Sequence, residues 1–328
     1  MASTTEPTRL ADRLELLDRL AAERGITLDD DVALGPLTTL RVGGVADRLV
    51  EVRAVDELVV VLEMARDAGV PAGVLGKGSD VVVADAGVRG LVIRNRADAI
   101  NVDGSLVRAA SGAAMATLVK RCTAVGLAGI EFGISIPGSV GGAVWANAGA
   151  HEGEMRDVVV SVATWSSAGG AATLPNAACG FAYRDSRFKA SGEIVLGASI
   201  GLVTGDSGEI VARVGAHQAQ RRATQPLADQ NAGSVFRNPP DDHAGRLIDV
   251  AGLKGFRIGS AQVSTRHANF IVVDRGGTAA DVRAVGDHVR AAVAAAHGVQ
   301  LQYEIEFVGD WGNEDRWATP SGRLAGGA

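Results

Sequence analysis

The sequence predicts a protein of mixed helices and strands with more than one domain. The chain has 328 residues, which is more than one small core accommodates. Short apolar runs typical of strands alternate with segments whose apolar residues recur at helical spacing. The chain holds 43 glycines against four Trp, two Tyr and seven Phe, which indicates many tight turns and places of close backbone approach.

Composition and charge exclude several classes of protein. Hydrophobic content of 47% with 21% charged residues is globular and argues against disorder. A net charge of −6 provides no basic field for polynucleotide phosphates, so we expect no nucleic-acid partner. Two isolated cysteines, Cys122 and Cys179, and six histidines without zinc-site spacing predict no metal and a reducing compartment. The N-terminus has no basic segment followed by an apolar one, and we expect a cytoplasmic chain with no membrane insertion.

Helix and strand signals alternate through the first hundred residues. Leu10, Leu14 and Leu17 begin a helical pattern that ends at Gly25. Asp56 is placed to cap a helix that runs to Ala68 and ends at Gly69. Strands are predicted at residues 48–52, 74–75, 81–83 and 91–93.

The remaining segments extend the same mixture. Asp103-Gly104 predicts a hairpin, and a helix is predicted over residues 114–125. Strands over 158–165 and 193–203 have a Gly169-Gly170 turn between them. A helix over 207–222 leads into a further unit, where 271–273 predicts a strand and Thr278 with Asp281 forms a capping box. That helix ends at Gly298, and residues 301–308 predict a last strand.

A first glycine-rich loop, Gly76-Lys77-Gly78-Ser79-Asp80, directly follows a predicted strand. Successive backbone N–H groups in such a loop can hold a diphosphate. The third glycine of a dinucleotide-binding fingerprint is missing because Val81 occupies its position, and Pro71 excludes a P-loop. An anion-binding loop and a plain strand-ending turn are equally compatible with this segment.

A second loop runs from Gly133 to Ala143 and continues into Ala146-Asn147-Ala148-Gly149. Its density of glycine beside apolar residues exceeds what a simple connection needs. Close approach of the backbone to a large flat or phosphorylated ligand accounts for it, and we favour that interpretation.

The two loops belong to an ordered series of motifs that resembles the UDP-N-acetylenolpyruvoylglucosamine reductase family. The other motifs are Tyr183-Arg184-Asp185-Ser186, Ala232-Gly233-Ser234-Val235-Phe236-Arg237-Asn238-Pro239, Ala251-Gly252-Leu253-Lys254-Gly255 and His267-Ala268-Asn269-Phe270. The resemblance extends from about residue 40 to residue 309. The segment between Tyr183 and Glu193 is too short for the tyrosine-bearing insertion of one subclass, so the chain resembles the subclass without it.

The resemblance implies an α+β fold. It consists of a two-subdomain FAD-binding module of the vanillyl-alcohol-oxidase (PCMH) type and a smaller α+β substrate-binding domain. We expect an N-terminal tail and helix over 1–35, the FAD-binding domain over 36–206 with subdomains 36–97 and 98–206, the substrate domain over 207–310, and a C-terminal tail over 311–328.

The resemblance also implies non-covalent FAD, NADPH as reductant, a nucleotide-sugar substrate that shares one site with NADPH, and a monomer. The expected cofactor-binding residues come from the two loops: Gly76, Lys77, Gly78, Ser79, Asp80, Ile136, Pro137, Gly138, Ser139, Gly141, Gly142, Asn147, Ala148 and Gly149. In this family NADPH reduces the flavin, and the enolpyruvyl ether then accepts a hydride and a proton. The product, UDP-N-acetylmuramate, is a peptidoglycan precursor.

Three residues match the family's catalytic positions. Arg184 is expected to bind the substrate carboxylate, Ser234 to donate the proton and Glu304 to stabilise the developing charge. Strand alternation alone places Glu304 and Glu306 on one face and does not separate them. Arg222 and Asn238 fall at substrate-binding positions.

Each match has an ordinary structural alternative, and the activity has two. Arg184 suits an ion pair, Ser234 a turn and the two glutamates an exposed strand. Another FAD oxidoreductase of the same fold, acting on a hydroxy acid or a sugar, would keep the glycine loops without combining these three residues. A protein that only binds a nucleotide sugar would be colourless.

Overall fold

The structure, a computed structural model, describes residues 9–312. Residues 1–8 and 313–328, which hold most of the two predicted tails, lie outside the described residues. The described chain forms three regions, each with its own packed core.

The first region is a small parallel sheet covered by helices. Its elements are α1 (Leu10–Glu23), β1 (Asp29–Ala33), β2 (Val45–Val52), α2 (Val55–Ala68), β3 (Ala72–Leu75), β4 (Val81–Val83) and β5 (Val88–Asn95). The sheet order is β1-β2-β5-β3, with β2 and β3 parallel to β5 and β1 antiparallel at the edge. Leu17 of α1 and Leu58 of α2 pack against Leu91 and Ile93, so the two helices and the sheet share one core.

The second region is an antiparallel sheet. Its elements are β6 (Ile100–Asp103), β7 (Leu106–Ala110), α3 (Met115–Ala124), β8 (Leu127–Ala128), α4 (Val140–Trp145), β9 (Gly149–Ala150), β10 (Gly153–Glu154), α5 (Met155–Val158), β11 (Val159–Ser166), β12 (Gly170–Pro175), α6 (Arg187–Ser191), β13 (Ile194–Gly201) and β14 (Val203–Thr204). The five main strands run in the order β12-β11-β13-β7-β6. The predicted hairpin at Gly104 joins β6 to β7, with Asp103 opposite Leu106.

The third region packs helices on a second small antiparallel sheet. Its elements are β15 (Gln230–Asn231), α8 (Ala244–Val250), β16 (Arg257–Ile258), β17 (Ala261–Val263), β18 (Ile271–Val273), α9 (Ala279–His297) and β19 (Glu306–Val308). Helix α7 (Ser207–Thr224) leads into this region along the chain but packs on the second region. Val282, Val285, Val289 and Val293 of α9 are buried in the core of the third region. Their spacing along the helix places all four on one apolar face.

Two connections fasten the third region to the first. Strand β19 leaves its own region and pairs in parallel with β4, with Glu306 opposite Val81. The carboxylate of Asp85, in the turn after β4, accepts hydrogen bonds from the N–H groups of Ala279 and Ala280, both at 2.9 Å. An acid at this helix N-terminus satisfies donors that have no partner inside the helix.

Several predicted element boundaries differ from the structure. Asp56 does not cap α2. Instead Glu57 reaches back to accept hydrogen bonds from the N–H groups of Arg53 (2.7 Å) and Ala54 (3.3 Å). The Gly169-Gly170 turn leads into β12, a strand rich in small residues that the sequence pattern did not reveal.

The predicted last strand and the predicted capping box are each only partly formed. Strand β19 begins at Glu306, so the expected strand over 301–308 is wrong for its first five residues, and Glu304 lies outside it. At α9, Thr278 Oγ1 accepts a hydrogen bond from the N–H of Asp281 at 3.2 Å. The Asp281 carboxylate instead bonds to the N–H and hydroxyl groups of Ser260, so one half of the box is absent.

Helix α7 is held on the second region by an ion pair whose acid, Glu131, is buried. Only 9% of the Glu131 side chain is exposed, and it accepts hydrogen bonds from the Gly129 N–H (2.7 Å) and from Arg213 Nη2 (2.7 Å). Burial raises the pKa of Glu131, but the hydrogen bonds from Arg213 and from the backbone outweigh burial and hold it below its usual range.

We expect Glu131→Gln to lower the free energy of unfolding at pH 7 by about 1–2 kcal/mol, because a charge-assisted pair is lost. A depressed acid stabilises the fold above its unfolded pKa, so the difference from wild type should be constant above about pH 5 and fall below it. Urea unfolding from pH 3 to 8 measures this. Glu209→Gln is the control, since Glu209 lies 3.6 Å from Arg213 but is exposed. A pH-independent difference would contradict the assignment.

Candidate active site

A cavity of about 800 Å³ is bordered by all three regions. Both glycine-rich loops line it, and so do the three residues expected to be catalytic. The structure therefore brings together segments that are more than 200 residues apart in the sequence.

The first loop, residues 76–80, follows β3 and is held in place by contacts that leave no room for side chains. A Cβ atom on Gly76 would lie 2.5 Å from Ser139 Oγ, and one on Gly78 would lie 2.7 Å from the carbonyl oxygen of Leu37. Gly78 also has a φ of +60°, which favours glycine. The N–H groups of Lys77, Gly78 and Ser79 donate to no acceptor within residues 9–312. These glycines are thus structurally required, while the adjacent N–H groups remain available to an anion.

The glycines of the second loop show whether the cavity has room for a dinucleotide. A Cβ atom on Gly141 would lie 2.8 Å from Ser111 Cβ, so this glycine is required by internal packing. At Gly142 a Cβ atom would meet only Ser139 Oγ at 3.7 Å, and at Gly138 only Ser79 Oγ at 3.2 Å. Both positions line the cavity, so a side chain there would enter space that the fold itself leaves open. This backbone-walled space, with unused N–H donors beside it, fits a flavin dinucleotide.

Arg184 and Glu304 form a direct ion pair across 120 residues of sequence. Arg184 Nε donates to Glu304 Oε1 at 2.9 Å, and Arg184 Nη2 donates to the Gly149 carbonyl oxygen at 2.8 Å. Arg184 has a φ of +52°, a backbone conformation that a non-glycine residue rarely adopts. The guanidinium is thereby anchored at two points beside the second loop, and Nη1 makes no hydrogen bond within residues 9–312.

Ser234 lies near Glu304 because the residue after Ser234, Val235, is hydrogen-bonded through its backbone to Glu304. The Glu304 N–H donates to the Val235 carbonyl oxygen at 2.8 Å. The side-chain amide of buried Asn269 bonds to both backbone groups of Phe236, at 3.0 and 2.8 Å, and fixes this segment. The Ser234 hydroxyl has no partner within the described residues and lines the cavity. Its proton is available to a bound molecule.

The environment of Glu304 raises its affinity for a proton. Burial raises the pKa of Glu304, and attraction to Arg184, Lys189 and Arg237 offsets this only in part. A carboxyl group in this state can hold a proton beside a developing negative charge.

Sequence analysis did not identify Lys189 as a residue of this site. Only 12% of its side chain is exposed, and its Nζ lies 2.9 Å from Glu306 Oε1 and 4.2 Å from the centre of the Trp145 ring. Lys189 and Glu306 both line the cavity. No local pattern joins residues 117 positions apart, so the sequence held no signal for this pair.

Three predicted contact residues do not line the cavity. Asn147 is fully buried, and its side chain bonds to Glu154, to the Ala182 carbonyl oxygen and to the Arg156 N–H. It therefore braces the segment before Arg184 instead of presenting its side chain to a ligand.

The other two, Arg222 and Asn238, are exposed residues that are not part of the cavity lining. Arg222 is exposed at the end of α7, where its neighbour Arg221 lines the cavity instead. The Asn238 side chain accepts a hydrogen bond from the Ala244 N–H at 3.1 Å, and its backbone N–H donates to the Tyr183 hydroxyl at 3.3 Å. Every other predicted cofactor-binding residue lines the cavity.

The part of the chain that the structure describes contains no cluster of three or more His, Cys, Asp or Glu side chains that could bind a metal ion. None of its helices combines the length and the apolar character needed to cross a bilayer.

Comparison with known proteins decides the family. A model of an FAD binding domain matches residues 46–174, and a model of the UDP-N-acetylenolpyruvoylglucosamine reductase C-terminal domain matches residues 225–308. UDP-N-acetylenolpyruvoylglucosamine reductase 2 of Symbiobacterium thermophilum is 44% identical over 86% of this chain and 91% of its own length. The Anaeromyxobacter dehalogenans reductase is 43% identical over 86% of this chain and 85% of its own length. The chain belongs to the UDP-N-acetylenolpyruvoylglucosamine reductase family.

The fold agrees with this assignment. The crystal structure of the Thermus caldophilus reductase superposes with a TM-score of 0.75 at 34% identity, covering 86% of this chain and 99% of that one. The predicted fold class is confirmed, since the FAD-binding match spans β2 to β12 and the reductase match covers the following α+β region. FAD is the cofactor of this reductase family, as the sequence predicted.

Proposed function

We propose that this chain uses NADPH and FAD to reduce the enolpyruvyl ether of UDP-N-acetyl-3-O-(1-carboxyvinyl)glucosamine to UDP-N-acetylmuramate. This reaction supplies a peptidoglycan precursor. Convergence of Arg184, Ser234 and Glu304 on one wall of the glycine-lined cavity is the observation that carries the proposal. An oxidase of the same fold would have no need for a cation, an alcohol and a neutral acid in this combination.

FAD, when bound, carries a hydride from NADPH to the terminal methylene carbon of the substrate. Negative charge then develops on the neighbouring carbon and its carboxylate. Arg184 binds that carboxylate, because its guanidinium is positioned by Glu304 and Gly149 and keeps N–H donors free.

Ser234 completes the reaction by donating its hydroxyl proton to the carbon. An alcohol is a weak acid, but an enolate-like carbon is a strong base, so the transfer runs downhill. Once Glu304 has taken up a proton it donates a hydrogen bond to the charged carboxylate, where an ionised glutamate would repel it; its raised pKa favours that uptake.

We further propose that NADPH and the substrate use the cavity in turn, and that the enzyme acts as a monomer in the cytoplasm. The reactive groups lie on one wall of one cavity, which supports successive occupancy. Both molecules are multiply charged and do not cross a bilayer unaided, so an enzyme that uses them is best placed in the cytoplasm.

We propose an FAD-binding domain that includes α7 and a substrate domain that begins near residue 225. The sequence predicted this boundary at residue 207. The Glu131–Arg213 pair holds α7 on the second region, and Val214 packs against the core of that region. The match to the reductase C-terminal domain also starts at residue 225.

We expect Glu304→Ala and Glu306→Ala to separate the two glutamates that strand alternation could not. Glu304→Ala should slow oxidation of the reduced flavin by the substrate roughly 100-fold or more, because it removes both the hydrogen-bond donor to the carboxylate and the partner that positions Arg184. Glu306→Ala should slow it less than about tenfold, since Glu306 contacts Lys189 and not Arg184. Stopped-flow flavin absorbance with saturating FAD measures both. Equal losses would contradict the role given to Glu304.

The proposed function as a whole is tested by the spectrum and turnover of the purified protein. A bound-flavin spectrum with substrate-dependent oxidation of NADPH is the expected result. Turnover of hydroxy acids or sugars without turnover of the enolpyruvyl substrate would instead favour an oxidase. A colourless protein that binds no added FAD would contradict any flavin enzyme.

A further inference from the structure

Three of the carboxyl groups that line the cavity lie close enough to influence one another. Glu304 is paired with Arg184 and Glu306 with Lys189, each at 2.9 Å. The third carboxyl group, that of Asp80, forms no hydrogen bond or ion pair with another side chain within residues 9–312. Asp80 is therefore the one of the three without a paired cation.

Backbone pairing holds Asp80 and Glu306 next to each other. The Glu306 N–H donates to the Asp80 carbonyl oxygen at 2.8 Å. Val81, the residue after Asp80, lies opposite Glu306 in the parallel pairing of β4 with β19. Asp80 also ends the first glycine loop, whose three unused N–H groups line the cavity. The unpaired carboxyl group is therefore fixed at the place where an anionic cofactor has its donors.

The surroundings of Asp80 raise its affinity for a proton above that of an ordinary aspartate. Burial, and then repulsion from Glu306 and Glu304, outweigh attraction to Lys189 and raise the pKa of Asp80 to about 6. The loops 37–39, 136–139 and 231–234, which pack on the glycine loop, carry no charged side chain. On its own loop, Lys77 is exposed.

We propose that Asp80 binds FAD as a neutral acid, so that one proton is taken up from solvent when the cofactor enters. This inference rests on the proposed function. The diphosphate of FAD carries two negative charges, and an ionised Asp80 at the end of its binding loop would repel them. A protonated Asp80 removes that repulsion and adds an O–H donor to the N–H groups of the loop.

Calorimetric titration of the flavin-free full chain with FAD tests the inference. Buffers of different ionisation heat give the number of protons taken up per FAD. Between pH 6.5 and 8 we expect uptake approaching one proton, with FAD affinity falling up to about tenfold per pH unit. Uptake vanishes at low pH, where Asp80 already holds its proton. In Asp80→Asn the uptake should be lost and the affinity should be nearly independent of pH.

Two variants shift the effect in opposite directions without altering Asp80. Glu306→Gln removes a repelling charge and should move proton uptake to lower pH, whereas Lys189→Met should move it to higher pH. Other polar side chains, His151 among them, also line the cavity, so the assignment depends on the difference between wild type and Asp80→Asn. Unchanged uptake in Asp80→Asn, or FAD binding without uptake, would overturn the inference alone. Failure of wild type to bind FAD at any pH would overturn the proposed function as well.

Discussion

Ser234→Ala is expected to leave reduction of the flavin by NADPH nearly intact and to slow its oxidation by the substrate roughly 100- to 10,000-fold, the usual range for loss of a proton donor. The hydroxyl group has no other partner in the described structure, so its removal breaks no internal hydrogen bond. The neighbouring segment stays fixed by Asn269. The loss should therefore be confined to the step that needs the proton.

Stopped-flow spectroscopy of the two half-reactions separates these steps. Ser105→Ala, in the exposed turn between β6 and β7, is the matched control and should behave as wild type in both. Ser234→Thr keeps a hydroxyl group and should recover part of the rate. Equal damage to both half-reactions in Ser234→Ala would rule out a role as proton donor.

Gly138→Val is expected to leave the fold intact and to weaken FAD binding roughly 10- to 100-fold. A Cβ atom at Gly138 meets only the rotatable hydroxyl of Ser79, so the protein itself can accommodate the change. The two methyl groups would occupy cavity space that the cofactor needs. Flavin content of the purified protein and FAD titration measure the effect.

Two other glycines provide contrasting controls. Gly215→Val, on the exposed side of α7 with nothing within 4 Å of its Cβ position, should keep its flavin. Gly141→Ala should instead lower the melting temperature, since its Cβ atom would lie 2.8 Å from Ser111 Cβ. Full FAD content in Gly138→Val would show that the second loop does not face the cofactor.

The parts of the fold that sequence analysis predicted are those with a local cause. Apolar spacing and glycines at the C-terminal ends indicate helices α1, α2 and α9, and an Asp-Gly turn indicates the β6–β7 hairpin. Strand β12, with its small residues, has no such pattern. The last strand was predicted too long because its alternating residues begin before a pairing partner is available at Val81.

Ordered motifs pointed to Arg184, Ser234 and Glu304 although they lie far apart in sequence, and the structure places all three around one cavity. The Asn147 side chain instead braces the neighbouring chain, because a motif position does not show whether a side chain points into a cavity. Lys189 and the unpaired state of Asp80 depend on distances across the fold, and no pattern of neighbours encodes them.

The pairing of β4 with β19 has a consequence for how the protein is made. About 220 residues separate the two strands, which at ribosomal speed is roughly 10 to 45 seconds of translation. During that interval Val82 has no neighbouring strand, and Glu304 does not yet exist. The edge of β4 therefore stays unpaired on the nascent chain, and the cavity wall that carries Glu304 is completed only after synthesis has passed residue 308.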